Sequence, residues 1–290
     1  MTSPRTPADV PADPPSGTPA GADPDLWQLV ETWRGACADL VALVRDLDPA
    51  VADLPTDLPG WSVRDNVAHT AHLEAVLAGT PEETIEVAPA PHLRGAMGLY
   101  TEAGVLARRD RSLAELADEL ETAVATRHAA LVADPPRDPA APAPKAPADA
   151  GWPHGLLLRN RPFDVWLHDQ DVRRAVGRPG GYDTPAAALA LHVLGLGLPM
   201  VVGKRVAPPP GTTVRVVVPE AGRTWTVAVG QDGRAAPGAD DVPATTTVTL
   251  SPEDFVVLGA GRRPPAATRP VVEGDAEVAE RLLASMAITP

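Results

Sequence analysis

The hydrophobic pattern of this chain changes period once, and that change constrains the fold most. From Leu26 to Leu198, apolar residues recur three and four apart, the spacing of helices that bury one stripe. After Gly203 the pattern becomes short β-branched runs, Val214–Val218 and Thr224–Val229, separated by Pro219 and Gly222. A helical part therefore precedes a mixed part. The 290 residues suit about two domains, and the 44% hydrophobic content suffices to give each a core.

Prolines punctuate the helical part. Seven of them between Pro4 and Pro24 break any helix, so residues 1–24 read as a disordered tail. Leu26, Leu29, Val30, Trp33, Cys37, Leu40, Val41 and Val44 form the stripe of a first helix ending near Leu47. Ser62 followed by Asp65 is an approximate capping box, opening a helix that carries Val63, Val67, Thr70 and Leu73 and stops at Gly79. Further helices are expected from near Ala96, over Leu113–Leu131 behind Ser112, over Leu156–Val176 and over Pro185–Leu198. The Pro/Ala-rich stretch 134–153 reads as a long loop. The helical domain thus spans 25–203. In 204–290 a hairpin, a strand at Thr245–Leu250, a helix opened by Ser251-Pro252, a short strand at 271–275 and a helix from Ala276 to Met286 make a small α+β domain.

Charge narrows the partners. There are 25 Lys and Arg against 38 Asp and Glu, a net charge of −13. This argues against nucleic acid, which needs a basic face, and against anionic lipid. One cysteine forms no internal disulfide. No apolar run of about eighteen residues and no apolar core near the N-terminus appear, so the expected setting is the cytoplasm, with no membrane partner. Oligomeric state leaves no mark in the sequence.

Asp164 and His168 lie four apart in an expected helix and so share a face. Asp oxygen and His nitrogen are ordinary zinc ligands. His69, on another expected helix, would supply a third and leave a fourth position open. By themselves the residues are a weak metal signal, since D-x-x-x-H arises by chance and a lone His on an apolar face is usually a hydrogen-bonded core residue. His72, three after His69, is a competing ligand but reads better as an exposed residue on the helix flank. Asp171, Arg173 and Arg174 read as the polar flank of the Asp164 helix. Cys37 falls inside an apolar stripe, the place of a small buried hydrophobe. Arg262 and Arg263, after Gly259-Ala260-Gly261, read either as solvated charge or as groups for an anionic substrate.

Three segments, in order, carry a family resemblance. Leu58-Pro-Gly-Trp-Ser-Val-Arg-Asp-Asn-Val-Ala-His69 resembles a G-W-[ST]-V-x-D-x-x-A-H motif, and Arg161-Pro-Phe-Asp164-Val-Trp-Leu-His168 a second metal segment, of the mycothiol-dependent maleylpyruvate isomerase family. The stretch from Gly203 through Leu258-Gly-Ala-Gly-Arg262 and Gly274-Asp275 to Ala287-Ile-Thr-Pro resembles that family's C-terminal domain. The resemblance implies a DinB-like four-helix bundle followed by a small α+β domain. It implies a metal held by His69, Asp164 and His168, and a substrate-binding arginine for which Arg262 is the best match. The departure is at Asp164, where the isomerase carries the longer Glu. The abundant Ala, Pro, Arg and Val suit a GC-rich, actinobacterial-type genome.

That family takes its thiol from a small molecule, mycothiol, held as thiolate by zinc. In the isomerase the thiolate adds to a double bond, lets the new single bond rotate and leaves. The resemblance therefore implies Zn2+ (Ni or Fe would suit the same ligands) and mycothiol as cofactors. It implies an isomerase or S-transferase acting on a small, electrophilic, carboxylate-bearing substrate. The alternative is a non-catalytic, metal-stabilised binding or regulatory protein.

Overall fold

A computed structural model describes residues 23–289. Most of the expected N-terminal tail lies outside them. Its last two residues do not: Asp23 caps the first helix by accepting the Leu26 N–H, and Pro24 is its first residue. Pro suits that position because its missing N–H has no partner there anyway.

The helical part contains α1 (Pro24–Arg45), α2 (Val63–Leu77), α3 (Gly95–Leu106), α4 (Leu113–Ala133), α5 (His154–Ala175) and α6 (Pro185–Leu196). Helix α1 packs on α4 and α5, and α2 packs on the same two, closing a ring of four. Helix α3 lies on α2, and α6 on α5. The capping expectations hold at atomic level. Ser62 accepts the Asp65 N–H while Asp65 accepts the Ser62 N–H, and Ser112 and Glu115 reciprocate likewise on α4. Each box satisfies two backbone donors that a helix start leaves unpaired.

Helical structure does not stop at Leu198. It continues through α7 (Leu198–Met200) and a π-helical turn, Val201–Val206, until Ala207 adopts a left-handed conformation. By length and composition alone, Pro185–Val206 is long and apolar enough to cross a bilayer, against the sequence expectation. Its inner face, including Ala187, Leu191, Leu194 and Val202, belongs to the core. The stretch 134–153 is an ordered loop, tied by Pro142 and Pro153 as a β-bridge and by the Gly155 N–H to Pro139 O.

The C-terminal part is a five-stranded mixed sheet with two helices. Strands β1 (Thr213–Val218), β2 (Arg223–Val229), β3 (Ala235–Pro237), β4 (Thr246–Thr249) and β5 (Val271–Gly274) lie in the order β3-β2-β1-β4-β5. β1 and β2 form the expected hairpin, Val216 opposite Trp225, while β4 runs parallel to β1. Helix α8 (Pro252–Gly259) packs on α6, and α9 (Ala276–Ser285) on β4. One hydrophobic core runs from Trp33 to Phe255 and Leu282. Helix α6 joins the two parts: its Gly195 lies against Trp225, where a Cβ would come within 2.1 Å of the indole Nε1. Trp225 stacks on Phe255 with ring centroids 4.8 Å apart.

Candidate metal centre

His69 from α2 and Asp164 and His168 from α5 converge across the helix pair. One ligand atom from each lies within 4.8 Å of the others. His69 Nε2 is 3.3 Å from Asp164 Oδ2, and His168 Nε2 is 3.7 Å from Asp164 Oδ1. Zinc bonds of about 2.0–2.1 Å place the corners of a tetrahedron about 3.3–3.4 Å apart, so the donor set fits such an ion and small side-chain shifts would bring the three ligand atoms to that spacing. Both histidines are buried, and a quarter of the Asp164 side chain is exposed, so solvent reaches the cluster at the carboxylate. The shorter aspartate reaches both histidines without the extra methylene of a glutamate.

Trp61 covers the two imidazoles, its ring centroid 4.9 Å from His69 and 5.7 Å from His168. The turn before α2 positions it. Gly60 there has φ +83°, and a Cβ would come within 2.6 Å of the His92 ring, so both conformation and space require glycine. The indole Nε1 donates to Glu102 on α3 at 2.9 Å. Trp61 also lines a surface groove of about 350 Å³ with Thr56, Leu58, Ser62 and Asp65.

Charges buried around the cluster set its protonation. Arg161, one helical turn before Asp164, donates from Nη1 to Asp164 Oδ2 at 2.9 Å and from Nε to Glu74 Oε1 at 2.8 Å. Arg127 on α4 donates to the other Glu74 oxygen at 2.8 Å and lies over the Trp33 ring. Burial opposes the charge on Asp164, but the Arg161 guanidinium and the two histidines outweigh it and hold the carboxyl well below its ordinary range. Burial, then neighbouring His168, pushes His69 down to about 4, leaving it neutral and able to ligate. Burial also opposes a charge on His168, but hydrogen bonding to Asp164 and Asp171 raises it above the ordinary imidazole range.

Several expectations change here. His72 is fully buried, not exposed, and faces Gly104 and Arg108 rather than the ligand group. Asp171, expected on a polar flank of the helix, is also fully buried, and Arg174 nearly so. Arg262 is turned onto Asp171, its Nε 3.1 Å from Oδ1 and its Nη2 3.0 Å from Oδ2, with only 5% of the side chain exposed. Arg263 donates to Asp57. Cys37 is buried in the core, and burial pushes its thiol well above the ordinary range. A nucleophilic thiol at this site would have to come from outside the chain.

The sequence reading missed Arg161, Glu74 and Asn66. A signal existed for each. Arg161 is one turn from Asp164, and Glu74 and Asn66 occupy α2 among its apolar positions, where an unpaired polar group would be costly.

The family model of the mycothiol maleylpyruvate isomerase N-terminal domain matches residues 33–173, which contain all three clustered residues. Residues 33–173 belong to that domain family. A crystal structure of the mycothiol-dependent maleylpyruvate isomerase is similar over 87% of this chain and 94% of its own, with TM-score 0.54 and 18% identity. The structure of a mutant of such an isomerase matches over 84% and 92%, with TM-score 0.53 and 19% identity. At such identities these two matches speak for the fold, and they extend it through the C-terminal sheet. No curated protein matches the chain.

Proposed function

We propose that this protein is a metal- and thiol-dependent enzyme related to maleylpyruvate isomerase, with mycothiol as its thiol. It acts as isomerase or S-transferase on a small electrophile bearing a carboxylate. The observation that carries this reading is the convergence of one ligand atom each from His69, Asp164 and His168 within 4.8 Å of one another, with solvent access beside Asp164. When bound, zinc supplies positive charge that keeps a coordinated thiol deprotonated near neutral pH. The chain's own residues would do the rest. His69, already neutral, and ionised Asp164 would present lone pairs to the ion, and His168 would present its Nε2. Trp61 shields both imidazoles from water. Arg161 compensates the carboxylate, so the charge of a bound ion would be left to favour an anionic thiol and an anionic substrate.

The test is thiol-dependent turnover. Purified protein should isomerise maleylpyruvate, or conjugate a small unsaturated acid, only with mycothiol present, and His69→Ala should abolish this. One observation favours the non-catalytic alternative. The arginines expected to hold a substrate carboxylate, Arg262 and Arg263, are both engaged by aspartates. Stoichiometric metal without thiol turnover across a range of electrophiles would select that reading.

A further inference from the structure

His168 faces two acceptors on its Nδ1 side. Asn66 Oδ1 lies 2.8 Å from Nδ1, and Asp171 Oδ2 lies 3.5 Å from it. The Asn66 side chain is fully buried, and its orientation is determined. Its Nδ2 donates to Ser62 O at 2.8 Å and to Thr56 Oγ1 at 3.1 Å. Turning the amide over would set its oxygen against the Ser62 carbonyl, so the oxygen faces His168 and, in this arrangement, accepts from Nδ1–H. Asp171 is held in turn from the C-terminal part of the chain. Arg262 grips both its oxygens, and the guanidinium is itself tied by Nη1 to Ala260 O at 2.8 Å. Arg174 supports Asp171 from within α5.

We propose that Arg262 is a positioning residue for the candidate metal centre. Through Asp171, and alongside Asn66, it holds the His168 imidazole with Nδ1 as donor and Nε2 turned toward Asp164 and His69. Without these acceptors the proton of neutral His168 would favour Nε2, beside Asp164 Oδ1, and occupy the lone pair a metal needs. The C-terminal part would then reach the ligand cluster by a chain of contacts rather than by touching a substrate. The consequence for metal rests on the proposed function, but the orientation of His168 does not.

The experiment is a ¹⁵N spectrum of the histidine side chains in metal-free full-length protein, taken at a pH high enough that the His168 nitrogen shifts no longer change and the imidazole is neutral. Zinc titration of the same samples follows. Wild type should show His168 as the Nδ1–H tautomer. Arg262→Gln, which leaves Asp171 its Arg174 partner, should shift the population toward Nε2–H and weaken zinc binding by roughly ten- to a hundredfold. Arg262→Lys should restore part of both. Arg263→Gln, which removes a different contact of the same loop, should change neither. Unchanged His168 nitrogen shifts and zinc affinity in Arg262→Gln would overturn the proposal, as would equal changes in Arg263→Gln. If wild type takes up no zinc, the metal reading fails, and the nitrogen shifts alone still decide whether Arg262 positions His168.

Discussion

Arg161 bridges Glu74 and Asp164, 2.8 Å from one carboxylate and 2.9 Å from the other, while only 1% of its side chain is exposed. The His69–Asp164–His168 cluster is therefore built into an ion network that includes Arg127 and crosses α2, α4 and α5. Such a network stabilises only when complete, because a lone buried charge is costly. Arg161→Met leaves Asp164 without its cation and Glu74 with Arg127 alone. It should cost about 3–5 kcal/mol in urea unfolding. A loss under about 1 kcal/mol would show that the network carries little stability.

Two glycines should respond in opposite directions. A Cβ on Gly104 would lie 2.0 Å from the ring of fully buried His72, so Gly104→Ala should destabilise by about 1–3 kcal/mol. Gly35, exposed on α1, has no neighbour within 4 Å of the added carbon. Gly35→Ala should stabilise by about 0.5–1 kcal/mol, because alanine loses less backbone entropy in a helix. Thermal unfolding of the two variants beside wild type checks both signs.

His72 should make stability sensitive to pH. Burial, then the Arg108 guanidinium, pushes it down to about 3 from an ordinary value of 6.5. In the window between these values the unfolded chain binds a proton that the folded chain refuses. The contribution of His72 is therefore complete above 6.5 and lost progressively toward 3. Wild type should lose about 1–2 kcal/mol more than His72→Gln between pH 7 and pH 5. Denaturant titrations at the two values measure the difference, and identical losses would contradict it.

Cys37 should be chemically silent in the folded protein. It is 1% exposed and its thiol is pushed well above the ordinary range by burial. Iodoacetamide should label it only after denaturation, and Cys37→Ala should leave thiol-dependent turnover intact. Labelling of the native chain at the rate of a free thiol would show that the chain has its own accessible nucleophile.

Much of this was legible in the sequence, for local reasons. Capping boxes are short-range chemistry, so Ser62–Asp65 and Ser112–Glu115 announced their helices. The four-residue spacing of Asp164 and His168 placed them on one face before any tertiary contact was known. What stayed hidden depends on contacts between distant segments. His72 is buried because Gly104 on another helix admits its ring, and nothing near His72 encodes that. Asp171 and Arg262 are 91 residues apart, and each alone resembles solvated charge. Strand β3 spans three residues and ends in Pro237, too short and too proline-rich for a periodic signal. The helical run past Leu198 was obscured by Pro199 and Gly203, which a buried helix tolerates when its apolar face is covered.

Metal content tests the central claim most directly. Elemental analysis of untagged protein, wild type beside His168→Ala, should find about one zinc or equivalent divalent ion per wild-type chain and none in the variant. No metal in wild type, even after exposure to zinc, would contradict the account. His69, Asp164 and His168 would then be an ion-paired polar cluster of the core.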